Sequence, residues 1–189
     1  MAFAPNRLTL ATGSNDGTAI LWDLSDPTQP RRLGQPLTGH TDSVITVAFS
    51  SNGTTLATGS NDGTAILWDL SNRAQPRRLG RPLTGHTGSV AATAFSPDGN
   101  TLATGSFDGT AILWDLSDPT QPRRLGQPLT GHTGSVVAVA FSPDGDVLAT
   151  GGVDDAAILW DLSNRAQPRR VEPSLAGHSG PGVWGGVLP

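Results

Sequence analysis

The segment TGSNDGTAILWDLS at residues 12–25 returns at 58–71, as TGSFDGTAILWDLS at 104–117 and, further altered to TGGVDDAAILWDLS, at 150–163. The step is 46 residues each time. A constant period of that length marks an array whose units are each too small to bury their own apolar faces and therefore stack on one another. The repeat thus restricts the fold to one in which a single core is divided among like units. These fall at about 1–40, 41–86, 87–132 and 133–178, with an irregular tail at 179–189, all within one domain over 1–189. Residues 2–12, AFAPNRLTLAT, align without a gap on 94–104, AFSPDGNTLAT, so the sequence opens inside a unit.

Each complete unit predicts four strands. SVITVAFS (43–50) is apolar and β-branched with small residues interspersed, which reads as a first strand buried on both faces. The Ala-rich versions at 89–96 and 135–142 suit a place where neighbouring sheets converge. SPDG at 96–99 and 142–145 supplies a turn. TTLATGS (54–60) and TAILWDL (64–70) form a hairpin across Asn61-Asp62-Gly63, because Asp-Gly between apolar runs favours a tight reversal. RRLGRPL (77–83) carries paired Arg and an internal Pro, which are tolerated on an edge and discourage pairing with another chain, so this fourth strand is expected outermost. The predicted class is all-β: a β-propeller of about four 46-residue, four-stranded antiparallel blades.

The loops before the fourth strands alternate, SDPTQPRR at 25 and 117 and SNRAQPRR at 71 and 163, so a 92-residue super-repeat overlies the shorter one. In the fourth unit Asp155 stands where the turn Gly belongs and Ala156 where the Thr belongs, which predicts strain at that turn. Repeating aromatic positions, Trp22, Trp68, Trp114, Trp160, Phe3, Phe49, Phe95 and Phe141, read as core; Phe107 and Trp184 depart from the pattern.

Composition excludes several function classes. The net charge is -4, and every basic residue is Arg, so nothing favours a nucleic-acid or membrane surface. With no cysteine there is no disulfide, zinc-thiolate site or thiol nucleophile. A P-loop needs the Lys that this chain lacks, and neither HExxH nor a GxSxG elbow occurs. No cofactor is expected. The opening MAFAPNRLTL has Pro5 and Arg7 where a signal peptide needs an unbroken apolar run, and no segment approaches membrane-spanning length, so a cytoplasmic protein is expected.

With Gly-His ending at 40, 86, 132 and 178, and Trp-Asp beginning at 22, 68, 114 and 160, the sequence closely resembles the WD-repeat propeller family over residues 2–178, in the form of bacterial-looking arrays of near-identical blades. The resemblance implies hydrogen-bonded tetrads of His40, Thr58, Asp62 and Trp68; His86, Thr104, Asp108 and Trp114; and His132, Thr150, Asp154 and Trp160. A fourth set would join His178 to Thr12, Asp16 and Trp22. Donor chemistry agrees, since indole only donates, hydroxyl and neutral imidazole do both, and carboxylate only accepts. Because each His has the same place in its own blade, the four cannot converge on one metal ion or one reaction centre, and the expected role is structural.

The resemblance also implies a partner-docking face carrying Asn15, Asn61, Phe107 and Val153 with Ser43, Ile45, Ser89, Ala91, Ser135 and Val137. Small residues dominate and neither Arg nor Tyr is among them, which leaves Phe107 as the one anchor of the kind that dominates interfaces. The expectation is a non-catalytic protein-interaction scaffold with a protein partner; the alternatives are a truncated fragment of a larger WD-repeat regulator without independent activity and, less favoured, an enzyme. The tail at 181–188 is in phase to complete a blade, although its Pro and Gly residues suit a frayed end; the expectation of closure between two chains into an eight-bladed homodimeric ring stands beside a four-bladed monomer, another assembly or an incomplete fragment.

Overall fold

The computed structural model describes residues 1–176, and every regular element among them is a β-strand. The first sheet holds β1 (Ala2–Phe3), β2 (Thr9–Gly13), β3 (Ala19–Asp23) and β4 (Arg31–Leu37). The second holds β5 (Val44–Phe49), β6 (Thr55–Ser60), β7 (Ala65–Asp69) and β8 (Arg77–Leu83). The third holds β9 (Val90–Phe95), β10 (Thr101–Ser106), β11 (Ala111–Asp115) and β12 (Arg123–Leu129). The fourth holds β13 (Val136–Phe141), β14 (Val147–Gly152), β15 (Ala156–Asp161) and β16 (Arg169–Ala176). In each sheet the strands are antiparallel and adjacent in chain order, so each is one propeller blade with the Arg-bearing strand at its edge. His178 and the tail at 179–189, with Trp184, lie outside the described residues.

Turn chemistry repeats with the sequence. Gly63 takes φ 80°, which closes the β6–β7 reversal, and the Asp62 carboxylate pins that turn by accepting the backbone and side-chain donors of Thr64 at 2.9 and 2.7 Å. Among the described residues, two that are not glycine take the left-handed region, Arg7 at φ 59° and Asp155 at φ 61°. Both occupy places that the other blades give to Gly53 and Gly63 or their equivalents, so the repeat imposes the backbone whatever the residue.

The first strands differ from the sequence expectation. They are not buried on both faces: Val44 and Val47 are buried, whereas Thr46, Ala48 and Phe49 are half-buried and Ile45 is exposed. A bulge accounts for Ile45, since Val44 pairs with Ser60 and Thr46 with Gly59, which leaves Ile45 as an extra residue. Ala91 and Val137 stand at the same irregularity in the third and fourth blades.

Stacking of blades builds the core, by one rule applied three times. Ala11, Ala19, Leu21 and Leu37 on the front of the first blade pack on Leu56, Ile66, Trp68 and Leu70 on the back of the second. Ala57, Ala65, Leu67 and Leu83 meet Leu102, Ile112, Trp114 and Leu116 in the same way. Ala103, Ala111, Leu113 and Leu129 meet Leu148, Ile158, Trp160 and Leu162. Small residues on one side admit the broad Trp on the other, and burying such a Trp and its three aliphatic neighbours contributes several kcal/mol per seam. Among the described residues, no core cluster covers the outer faces of the first and fourth blades. Phe3 is 63% exposed and Trp22 only half-buried, which corrects their reading as core: burial of those positions is supplied by a preceding blade. At the other end, Leu175 is 56% exposed.

An ion pair fastens the seam between the third and fourth blades. Arg165 Nη1 donates to Asp98 Oδ2 and Thr101 Oγ1 of the preceding blade, both at 2.9 Å. One super-repeat earlier the same places hold Arg73 and Asn6; Arg73 donates to the Gly53 carbonyl at 3.2 Å, and its Nε is buried without a partner. Asn6→Asp should therefore raise stability by about 0.5–1 kcal/mol, the size of a partly exposed pair, because one carboxylate oxygen keeps the Leu8 N–H that Asn6 now holds while the other faces Arg73. Urea denaturation checks this, with no gain expected in an Arg73→Ala background.

Candidate interaction face

The second-blade relay runs through three elements. The Trp68 indole N–H on β7 donates to Thr58 Oγ1 on β6 at 3.0 Å, the Thr58 hydroxyl donates to His40 Nε2 at 2.8 Å, and His40 Nδ1–H donates to Asp62 Oδ2 at 2.9 Å. This is the tautomer in which every link has a donor and an acceptor. Trp114, Thr104, His86 and Asp108 repeat it at 3.0, 2.8 and 3.0 Å, and Trp160, Thr150, His132 and Asp154 at 2.9, 2.9 and 2.9 Å. In the first blade Trp22 donates to Thr12 at 3.0 Å, and Asp16 Oδ1 accepts both donors of Thr18, but none of the described histidines reaches this set.

Hydroxyl, imidazole and carboxylate in this order are also the connectivity of a nucleophile, its base and an orienting acid. Access decides against that chemistry. The three relay threonines are buried, and each oxygen is already engaged by an indole N–H and an imidazole, so no substrate carbonyl can approach it. Among the described residues, no three His, Asp or Glu side chains gather as a metal site would require. One surface depression is lined by Gly39, Thr41, Asp62, Thr64, Arg81 and Pro82, and its carboxylate belongs to the relay. Arg81 replaces the Gln found at 35 and 127, a departure visible by aligning the repeats.

The electrostatics fit a neutral imidazole held against a carboxylate. Burial lowers the pKa of His86, whose side chain is 2% exposed, and outweighs the pull of Asp108. For Asp108, burial acts upward, but hydrogen bonds from the Thr110 hydroxyl, the N–H groups of Thr87 and Thr110, and His86 together bring it down to about 2. Asp62 and Asp154 are lowered by the same kind of donor set, also against their burial.

The docking-face candidates lie along a hydrogen-bonded ledge that crosses all four blades. Asn61 N–H donates to the Ser43 carbonyl at 3.0 Å and Ser43 Oγ to the Asn15 carbonyl at 3.4 Å. Phe107 N–H donates to Ser89 at 2.9 Å, Ser89 Oγ to Asn61 at 3.5 Å, Val153 N–H to Ser135 at 2.9 Å, and Ser135 Oγ to Phe107 at 3.3 Å. Within a blade each serine carbonyl receives the slot residue; across the seam each serine hydroxyl reaches the slot before. The half-buried serines are thus committed to the ledge. What projects from it is Asn15 and Asn61, then Phe107, 53% exposed, and Val153, 50% exposed, with the bulged Ile45 exposed and Ala91 and Val137 half-buried behind them. One end of the ledge is polar and the other apolar.

The fourth blade departs at three places. Gly152 replaces Ser60 and Ser106, Asp155 the turn Gly, and Ala156 the Thr. Without the Thr hydroxyl, Asp154 turns both oxygens to His132 Nδ1, at 2.9 and 3.1 Å, and a Cβ on Gly152 would collide with that carboxylate and with the imidazole. Asp155 Oδ1 is buried without a partner.

A family model described as WD domain, G-beta repeat matches residues 1–23, 31–69, 77–115 and 123–161. The chain belongs to this family. From residue 31 onward each matched unit runs from the edge strand of one blade through the third strand of the next, so the family's unit straddles a seam. Repeats of this kind generally mediate protein–protein interaction, and their propellers are typically non-catalytic scaffolds. A search among curated proteins finds no significant match.

Two outcomes are expected. Asp155→Gly should stabilise the protein by about 1 kcal/mol, by relieving a left-handed L-residue and removing an unpartnered buried oxygen, which thermal or urea denaturation will read. Stability should also fall on acidification in two windows. His86 has a lowered folded pKa, so its contribution is complete above the unfolded value of 6.5 and is lost as pH falls below it; that of Asp108 is complete above 3.8 and is lost towards about 2. Denaturation midpoints measured from pH 8 to pH 2, with His86→Gln flattening the upper window, check the sign.

Proposed function

We propose that the chain is a non-catalytic scaffold that binds a protein partner on the ledge, with Phe107 and Val153 receiving an apolar side chain of that partner. The observation that carries this reading is the exposure of two large apolar side chains in adjacent slots, on backbone that serine bonds hold from both sides at Phe107 and through the N–H at Val153. Exposed apolar area on a rigid frame favours association because little conformational entropy is lost on binding. In this reading the relays belong to the frame and carry out no chemistry. The partner segment needs an apolar anchor and, towards Asn61, hydrogen-bonding groups. We also read the working form as two copies joined through their uncovered end faces into an eight-bladed ring, within the size range of propellers.

Selection from a displayed peptide library against the intact chain should enrich sequences with a common apolar anchor. Phe107→Ser should weaken the selected peptides at least tenfold, and Asn15→Ala should change them little, by titration calorimetry. Failure to enrich, or binding indifferent to Phe107→Ser, would remove the ledge as the docking face.

A further inference from the structure

Each edge strand opens with two arginines, and β8 carries a third, Arg81, where β4 and β12 have Gln35 and Gln127 and β16 has Pro173. Arg81 lines the depression that Gly39, Thr41, Asp62 and Thr84 also line. Arg78 reaches the same place, since a Cβ on Gly39 would stand 3.9 Å from its Nη1. Both arginines are exposed, and among the described residues neither has an ion pair or a hydrogen bond.

The carboxylate in this cleft is already spent on the frame. Asp62 Oδ1 accepts the Thr64 N–H and hydroxyl at 2.9 and 2.7 Å, and Oδ2 accepts His40 Nδ1–H and the Thr41 N–H at 2.9 and 3.0 Å. Those four donors fill its acceptor sites. What the cleft offers a ligand is therefore donors: two guanidinium groups and the hydroxyls of Thr41 and Thr84, which no described group engages. Two positive charges face one negative charge, a balance that one further negative charge completes.

The other blades lack this combination. The third has the same lining residues except Gln127 for Arg81. In the fourth, Arg170 Nη1 lies 3.2 Å from where a Cβ on Gly131 would stand, but its Nε is paired with Glu172 Oε1 at 2.8 Å, and Pro173 takes the place of Arg81. The second-blade cleft also adjoins the ledge. Asp62 and Thr64 belong to the turn that carries Asn61, and Ser89 links Asn61 to Phe107 by accepting the Phe107 N–H and donating to the Asn61 carbonyl. A segment anchored on Phe107 that continues past Asn61 arrives at Arg81.

We propose that the cleft receives an aspartate or glutamate side chain of the protein partner, whose oxygens accept from Arg81, Arg78 and the threonine hydroxyls. This rests on the docking reading above and gives it a direction: the partner's apolar anchor lies towards Val153 and its acidic residue towards the second-blade edge. Guanidinium suits a carboxylate because its N–H groups match both oxygens at once. A phosphate dianion fits less well, because Asp62 keeps its charge in the lining and Asp42 follows Thr41, so a second negative charge would meet repulsion. A charged contact at the rim of an apolar one fixes register and orientation.

The test uses the full chain with Arg81→Gln and Gln127→Arg. The first variant gives the second blade the lining that the third already has, and circular dichroism checks that both variants keep the parent fold. In the first measurement, NMR of the arginine Nε–Hε groups follows titration with sodium acetate at constant ionic strength. Arg78 and Arg81 should saturate at about fivefold lower acetate than Arg124; Arg81→Gln should bring Arg78 to the response of Arg124, and Gln127→Arg should sharpen that of Arg124. A uniform response of all arginines would overturn the site, whatever becomes of the ledge. In the second, peptides selected on the intact chain should carry Asp or Glu at a fixed offset from the apolar anchor. Changing that residue to Asn or Gln, or binding to Arg81→Gln, should weaken them about tenfold, and the two changes together little more than either alone. Peptides that need Phe107 but have no such acid, or that ignore Arg81→Gln, would keep the docking face and overturn this assignment. Tighter binding with phosphoserine in place of the acid would overturn the carboxylate, and acetate binding without any enriched peptide would assign the cleft to a free small carboxylate instead of a partner.

Discussion

The hydroxyl of Thr58, and of its counterparts Thr104 and Thr150, is where one blade is fixed to the next. It sits on the second strand, accepts from a tryptophan on the third, and donates to a histidine on the segment that has just left the edge strand of the preceding blade. The histidine in turn holds the aspartate of the hairpin turn. One buried oxygen thereby sets the hairpin and the path by which the chain enters the blade. Removing it would leave an indole N–H and an imidazole nitrogen without a partner in a dry site, a loss of about 1–3 kcal/mol per stranded group. The apolar seam alone would permit some sliding. The ledge above it adds serine-hydroxyl bonds of 3.3–3.5 Å between neighbouring blades, which favour one register.

Much of this was legible in the sequence because four copies of one pattern report on the same environment. The edge strand Arg77–Leu83 and the hairpin across Asp62-Gly63 follow from residue types alone. What the sequence did not reveal depends on register or on a neighbour. The bulge at Ile45 arises from how β5 meets β6, and no property of isoleucine announces it. Phe3 and Trp22 have the residue types of core positions, yet the first is exposed and the second only half-buried, because burial is supplied by the adjoining blade rather than by the residue. The serine ledge escaped for a related reason: Ser43, Ser89 and Ser135 look like small surface residues until the carbonyls facing them across the seam are known. Arg7 was likewise silent, although its place in the repeat is the one Gly53 fills with φ 68°.

The fourth blade shows how tightly a relay is tied to its surroundings. Ala156 withdraws a hydroxyl, Asp154 rotates to put both oxygens on His132, and the position beside it then has room only for glycine. Two differences that look independent along the chain, Ala156 and Gly152, are one rearrangement in space, so reverting Gly152 alone would be expected to clash where the same serine is accommodated at 60 and 106.

The ledge joins its slot residues to the frame through their main chains only. Asn61 gives its N–H to Ser43 and its carbonyl to Ser89; Phe107 does the same with Ser89 and Ser135. The side chains at 15, 61, 107 and 153 carry none of that load, which is why asparagine, phenylalanine and valine occupy equivalent places without disturbing it. Such a surface resembles type set in a fixed tray: the spacing of the characters is invariant and their identity is open. Substitution at these four places can rewrite what the protein recognises while the architecture beneath remains unaware of the change, and duplication of a blade lengthens the line by one character.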